Sequence, residues 1–63
     1  MTHQLYILQY GLCRYFKGLN TINKIEITSN ALECKLFNSQ ESVNNTQLEL
    51  LDKYNIYFNI IRL

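Results

Sequence analysis

Few side chains in this sequence could carry chemistry: one histidine, two cysteines and five carboxylates among 63 residues. His3 is the only side chain whose ordinary pKa suits it to general base work near neutral pH. It stands beside the N-terminus, where a held geometry is not expected, so neither a His-based triad nor a general base is predicted. Cys13 and Cys34 could supply a thiolate, but neither belongs to a CxxC or Cys/His cluster. Both fall where apolar side chains are expected, so the reading is two reduced core thiols acting as small hydrophobes, not a disulfide. Metal binding would need His, Cys, Asp and Glu to converge, and here they are sparse and scattered. Gly11 and Gly18 are the only glycines, too few for a phosphate-cradling loop. No catalytic residue, cofactor site or metal site is expected, and the chain does not read as an enzyme.

Charge points away from two partner classes. The formal net charge is +1, which gives no field toward nucleic acid or anionic lipid. Arg14, Lys17, Lys24 and Lys35 with nearby aromatics could contact single strands, but Glu26 and Glu33 interrupt them, and nucleic acid binding is the third-ranked function. No apolar run approaches the length of a membrane span and no signal-like segment opens the chain, so a cytoplasmic protein is expected. Asn44-Asn45-Thr46 matches a glycosylation sequon, but helix capping is the simpler use of that stretch. Abundant Asn, Ile, Lys and Tyr fit a low-GC genome, bacterial or phage.

The elements that would position any site are those of one small domain, residues 1–63. Hydrophobic residues make up 48% of the chain, too many for a disordered segment. A chain this short buries only about 60% of its unfolded surface, so its core is small. Ile22 to Phe37 reads as a β-hairpin. Ile25 and Ile27 alternate with Lys24, Glu26 and Thr28, and Leu32, Cys34 and Leu36 alternate with Glu33 and Lys35. A turn at Ser29-Asn30, or a four-residue loop from Thr28 to Ala31, pairs Ile27 with Leu32 and Ile25 with Cys34.

Before the hairpin, Leu5, Leu8, Leu12, Tyr15 and Phe16 fall at helical spacings. With Thr2 as cap and Gly18 as stop, they predict a helix from about His3 to Lys17. The rival reading is a strand over Leu5 to Tyr10, because Leu-Tyr-Ile-Leu-Gln-Tyr has strong β character. Tyr6, Tyr10 and Tyr15 then edge the core or form an aromatic surface. After the hairpin, Asn44 with Gln47 reads as a capping box, and Val43 with Leu48 as a hydrophobic staple. They predict a second helix to about Lys53 that buries Leu48, Leu51 and Tyr54. Ile56 to Leu63 is β-branched and aromatic, hence a strand, with Ile56, Phe58 and Ile60 inward and Tyr57, Asn59 and Ile61 outward.

The order helix, hairpin, helix, strand, with Phe16-Lys17-Gly18-Leu19-Asn20-Thr21-Ile22 and then Ile25, resembles the IIB domain of glucose-family phosphotransferase systems. In that family a helix ends in Leu-Gly-Gly and runs through Asn-Ile into a hairpin; here Gly18, Ile22 and Ile25 keep those places. The similarity would span Gly18 to Leu63. The family's phosphorylated cysteine precedes a Thr-Arg-Leu-Arg motif, but the matching position here is about Thr28 and no such motif follows. Cys34 lies downstream. The resemblance therefore implies a degenerate, non-catalytic relative.

The expected fold is α+β: a two-layer sandwich in the order α-β-β-α-β, with a short antiparallel sheet and two helices on one face. The expected function is a non-enzymatic interaction domain, a regulator or inhibitor that binds another protein and can self-associate. Its expected contact surface is the outer sheet face and edge, Lys24, Glu26, Glu33, Lys35, Tyr57 and Ile61. Tyr57 and Ile61 leave that face too apolar for full solvation, and the last strand has only Arg62 to guard its edge. The runner-up function is a carrier domain of the phosphotransferase type.

Overall fold

A computed structural model describes residues 4–63 of the chain. The fold is a small α+β domain: one antiparallel four-stranded sheet with one helix across one face. In chain order it runs β1 (Tyr6–Tyr10), β2 (Arg14–Leu19), β3 (Ile25–Thr28), a 3-10 turn (Ala31–Glu33), α1 (Gln40–Tyr54) and β4 (Asn59–Arg62). The strands lie in the order β3-β2-β1-β4. The first and last strands are neighbours, and β1 is central.

The expected first helix is instead the β1–β2 hairpin. Strong β character in Tyr6–Tyr10 outweighs the helical stripe because Gly11 turns the chain. Its φ of 69° lies in the left-handed region that glycine enters freely. Gln9 braces the turn by donating from Nε2 to the Leu12 carbonyl at 2.7 Å. Leu12, read as part of a buried stripe, is 90% exposed. Thr2 as a cap, and His3, lie outside the described residues.

The Ile22 to Phe37 hairpin is only half present. β3 forms, but it pairs with β2, placing Ile27 beside Phe16 and Ile25 beside Leu19, with a bulge between Phe16 and Gly18. Asn20 builds the tight connection: its Oδ1 accepts from the amides of Ile22 and Lys24. The return strand is replaced by side-chain capping. Thr28 Oγ1 accepts from the Asn30 amide and donates to Glu33 Oε2, while Asn30 Oδ1 accepts from the Leu32 amide. These local bonds close a 3-10 turn where a ladder would have continued, leaving Leu32 94% exposed. Cys34 to Phe37 then crosses to the gap between β1 and β2. The Lys35 amide donates to the Phe16 carbonyl, and Tyr6 and Phe37 exchange two backbone bonds of 2.8 and 2.9 Å.

Among the described residues the one α-helix, α1, begins earlier than its sequence signal suggested. Ser39, not Asn44, is the N-cap, its hydroxyl accepting from the Ser42 amide, and Val43 lies inside the helix. The buried stripe is Val43, Leu50 and the half-buried Tyr54; Leu48 and Leu51 face outward. Asn55 ends the helix in a left-handed conformation, returning its amide to the Leu51 carbonyl. The last segment forms β4 within the expected span, with Phe58 fully buried and Ile56 and Ile60 packed against the core.

The core joins Tyr6, Leu8, Phe16, Phe37, Val43, Leu50 and Phe58 between the sheet and α1. Phe58 sets its ring 5.6 Å from those of both Phe16 and Tyr10. Neither cysteine belongs to this core: Cys13 is exposed at the β1–β2 turn, and Cys34 is half-buried with its thiol donating to the Ala31 carbonyl at 3.0 Å. Both are free thiols.

Candidate interaction surface

Among the described residues, no three His, Cys, Asp or Glu side chains come together as a metal site. The ion pair Glu49–Lys53 spans one exposed turn of α1. A groove of about 340 Å³ runs between α1 and β2, with Lys35 and Glu49 on its rim and Phe16 and Leu50 at its floor. A second hollow of about 380 Å³ lies at the β1–β2 tip around Cys13 and Arg14. Among the described residues, neither sets a nucleophile beside a base.

The six residues expected to share a surface are dispersed. Lys24 is exposed at the β2–β3 connection, and Glu33 sits in the 3-10 turn bonded to Thr28. Lys35 lies on the helix side, its ammonium 5.7 Å from the Phe37 ring centroid. The expected cross-strand pairing of Ile27 with Leu32 and Ile25 with Cys34, which would have gathered these charges on one face, therefore does not occur. Glu26 and Ile61 do share the helix-free face, but on β3 and β4, the two outer strands. Tyr57, 57% exposed, stands just before β4. Only Tyr57 and Ile61 are brought near one border of the sheet.

Around that border the structure assembles apolar residues that were not assigned to it. Strand alternation puts Leu5, Ile7 and Gln9 of the β1 segment on the face away from α1. Ile7 pairs with Ile61, and the Leu63 amide donates to the Leu5 carbonyl at 2.8 Å, setting Leu63 beside Leu5. Tyr15 borders this set, opposite Gln9. Ile7 is 6% exposed although it lies outside the core cluster, because its same-face and cross-strand neighbours crowd it. The rival strand reading of Leu5 to Tyr10 held the signal for this face; the helical reading scattered it.

The same register defines the edge. In an antiparallel pair, hydrogen-bonded and non-bonded positions alternate. The Leu63–Leu5 bond makes Ile61 and Asn59 the bonded positions toward β1. The amides and carbonyls of Ile60 and Arg62 consequently point outward, where β4 has no strand partner among the described residues. At the start of the edge, Gln47 of α1 donates from Nε2 to the Phe58 carbonyl at 2.6 Å. The open part is thus Ile60 to Arg62. The opposite edge, β3, is flanked and occupied by Lys24 and Glu26, the kind of charge that discourages edge pairing.

No family model, no curated protein and no solved structure matches this chain. The helix-first order implied by the phosphotransferase IIB resemblance is also not the order found: Gly18 lies in β2, not at a helix end. No helix among the described residues is long and apolar enough to cross a membrane.

Proposed function

We propose that this chain is a small non-enzymatic interaction domain, a regulator or inhibitor that binds another protein through the helix-free sheet face and its β4 border. The observation that supports this reading is the cross-strand set Leu5–Leu63 and Ile7–Ile61 on the helix-free face, which ends at a strand edge with no partner among the described residues. In this set Leu63 is exposed, Leu5 and Ile61 are half-buried and Ile7 is buried. Apolar residues left uncovered on a sheet face are the kind of surface that protein contacts use. Exposed Tyr57 beside it supplies an amphipathic ring of the type enriched at interfaces.

A photo-crosslinking residue placed singly at Tyr57, Leu63 or Leu32 tests the reading in source cells. Adducts with one protein species, formed from Tyr57 and Leu63 but not from the still more accessible Leu32, are the expected result. Adducts from all three positions, or from none, overturn it. Tyr57→Asp is expected to weaken the association at least about tenfold, with an unchanged far-UV circular dichroism spectrum. Loss of fold in that variant would show Tyr57 to be a structural residue.

A further inference from the structure

We infer that the open edge of β4 takes a second copy of this chain, the two β4 strands pairing antiparallel about Ile61 to extend the sheet across both molecules. The inference rests on the interaction reading above and names its partner. A sheet edge specifies its occupant more narrowly than an apolar face does, because its outward amides and carbonyls require an extended backbone. Here the outward groups belong to Ile60 and Arg62, with Ile61 between them turned toward β1.

A two-fold axis through Ile61 satisfies all of these groups. Ile60 then faces Arg62 of the second copy, and each such pair exchanges both of its N–H···O bonds. Ile61 meets Ile61 at a non-bonded position, where Cα atoms approach to about 4.5 Å and side chains pack closest. On the helix-free face this joins Ile7 and Ile61 of both copies into one apolar stripe. Asn59 falls opposite Leu63. No like charges meet, since Arg62 is the only charged residue of the strand and it faces Ile60. The β3 edge fails the same test: pairing that uses its outward Ile25 and Ile27 groups about Glu26 sets one carboxylate directly against another. Pairing β3 of one copy to β4 of another is head-to-tail and leaves an open edge on each end of the pair, so it does not make a closed dimer.

A strand edge this short buries less than the roughly 1,000 Å² expected of a tight complex. Dimerisation is therefore expected to depend on concentration. Sedimentation of the purified chain from about 10 µM to about 1 mM should pass from monomer toward dimer. Proline at position 62 removes an outward amide without touching the bonds to β1, so Arg62→Pro should weaken the dimer at least about tenfold and leave the monomer folded. Arg62→Ala should leave the dimer intact, because the backbone makes the contact. If Arg62→Pro unfolds, the same chain made by synthesis with an N-methyl group on Arg62 gives the same readout. In a sample mixing isotopically labelled and unlabelled chains, an intermolecular contact between the Ile61 Hα protons is expected.

A chain that stays monomeric across the range overturns the inference, as does a dimer unaffected by blocking the Arg62 amide. A monomer that still forms the position-specific crosslinks of the preceding section would remove the second copy and keep the interaction surface.

Discussion

Phe58 is the side chain on which most of the core converges. It is fully buried, it touches the rings of Tyr10 on β1 and Phe16 on β2, and its carbonyl takes the Gln47 amide of α1. Truncating a buried aromatic costs about 3–5 kcal/mol, close to the whole stability of a domain this small. Phe58→Ala is therefore expected to be largely unfolded at 25 °C by circular dichroism. Leu32→Ser, by contrast, should move the urea midpoint by no more than about 0.5 kcal/mol in equivalent stability, because Leu32 is almost entirely in solvent. The sequence distinguishes these two large hydrophobes poorly. Phe58 sits in a run whose alternation is real, whereas Leu32, Cys34 and Leu36 alternate equally well but are pre-empted by the capping side chains of Thr28 and Asn30. Alternation records which residues could share a face; it does not record whether a hydroxyl or amide two residues away has already claimed the backbone.

At the level of elements, the start of α1 separates two similar signals. Ser39 holds the Ser42 amide, and Asn44 is one turn inside the helix. Ser39→Ala should therefore cost about 1 kcal/mol, and Asn44→Ala should cost less than half as much, both read from urea unfolding. Equal losses would place the helix start where the Asn44–Gln47 pattern suggested. That pattern misled because Gln47 reaches away from its own helix, to the start of β4, a contact between distant parts of the chain that no local motif encodes. The β1–β2 hairpin was legible as the rival of a helix, since Tyr6–Tyr10 carries β-forming residues on both faces. Its apolar stripe at helical spacing and its strand character predict different partners, and only the neighbouring β4 decides between them. The last strand, with aromatic and β-branched residues and clear inward positions, was read in the right place and on the right face for Phe58 and Ile60.

For the molecule as a whole, the number of helices and the strand order depend on pairings that lie far apart in sequence, and neither was legible. The class α+β, with one antiparallel sheet, was. The same arrangement sets the thiol chemistry. Cys13 is exposed on a turn, while Cys34 is half-buried and bonded to Ala31. In the native chain a maleimide should label Cys13 at nearly its unfolded rate and Cys34 at least about tenfold more slowly, since reactivity follows access. Comparable rates at both sites would mean that the Cys34 segment opens readily. Hydrogen exchange should be slowest at Ile7 and Leu8, whose strand has neighbours on both sides.

The placement of β1 between β2 and β4 also bears on how the protein is made. Translation delivers β1 before the other strands and its β4 neighbour roughly 50 residues later, a delay of several seconds at ordinary elongation rates. During that interval β1 can zip to β2 but presents a bare flank, and Leu8 lacks the cover that α1 and Phe58 later supply. The nascent chain is thus complete in its local contacts long before it is complete in its sheet. The flank of β1 is the last part of the sheet to be covered.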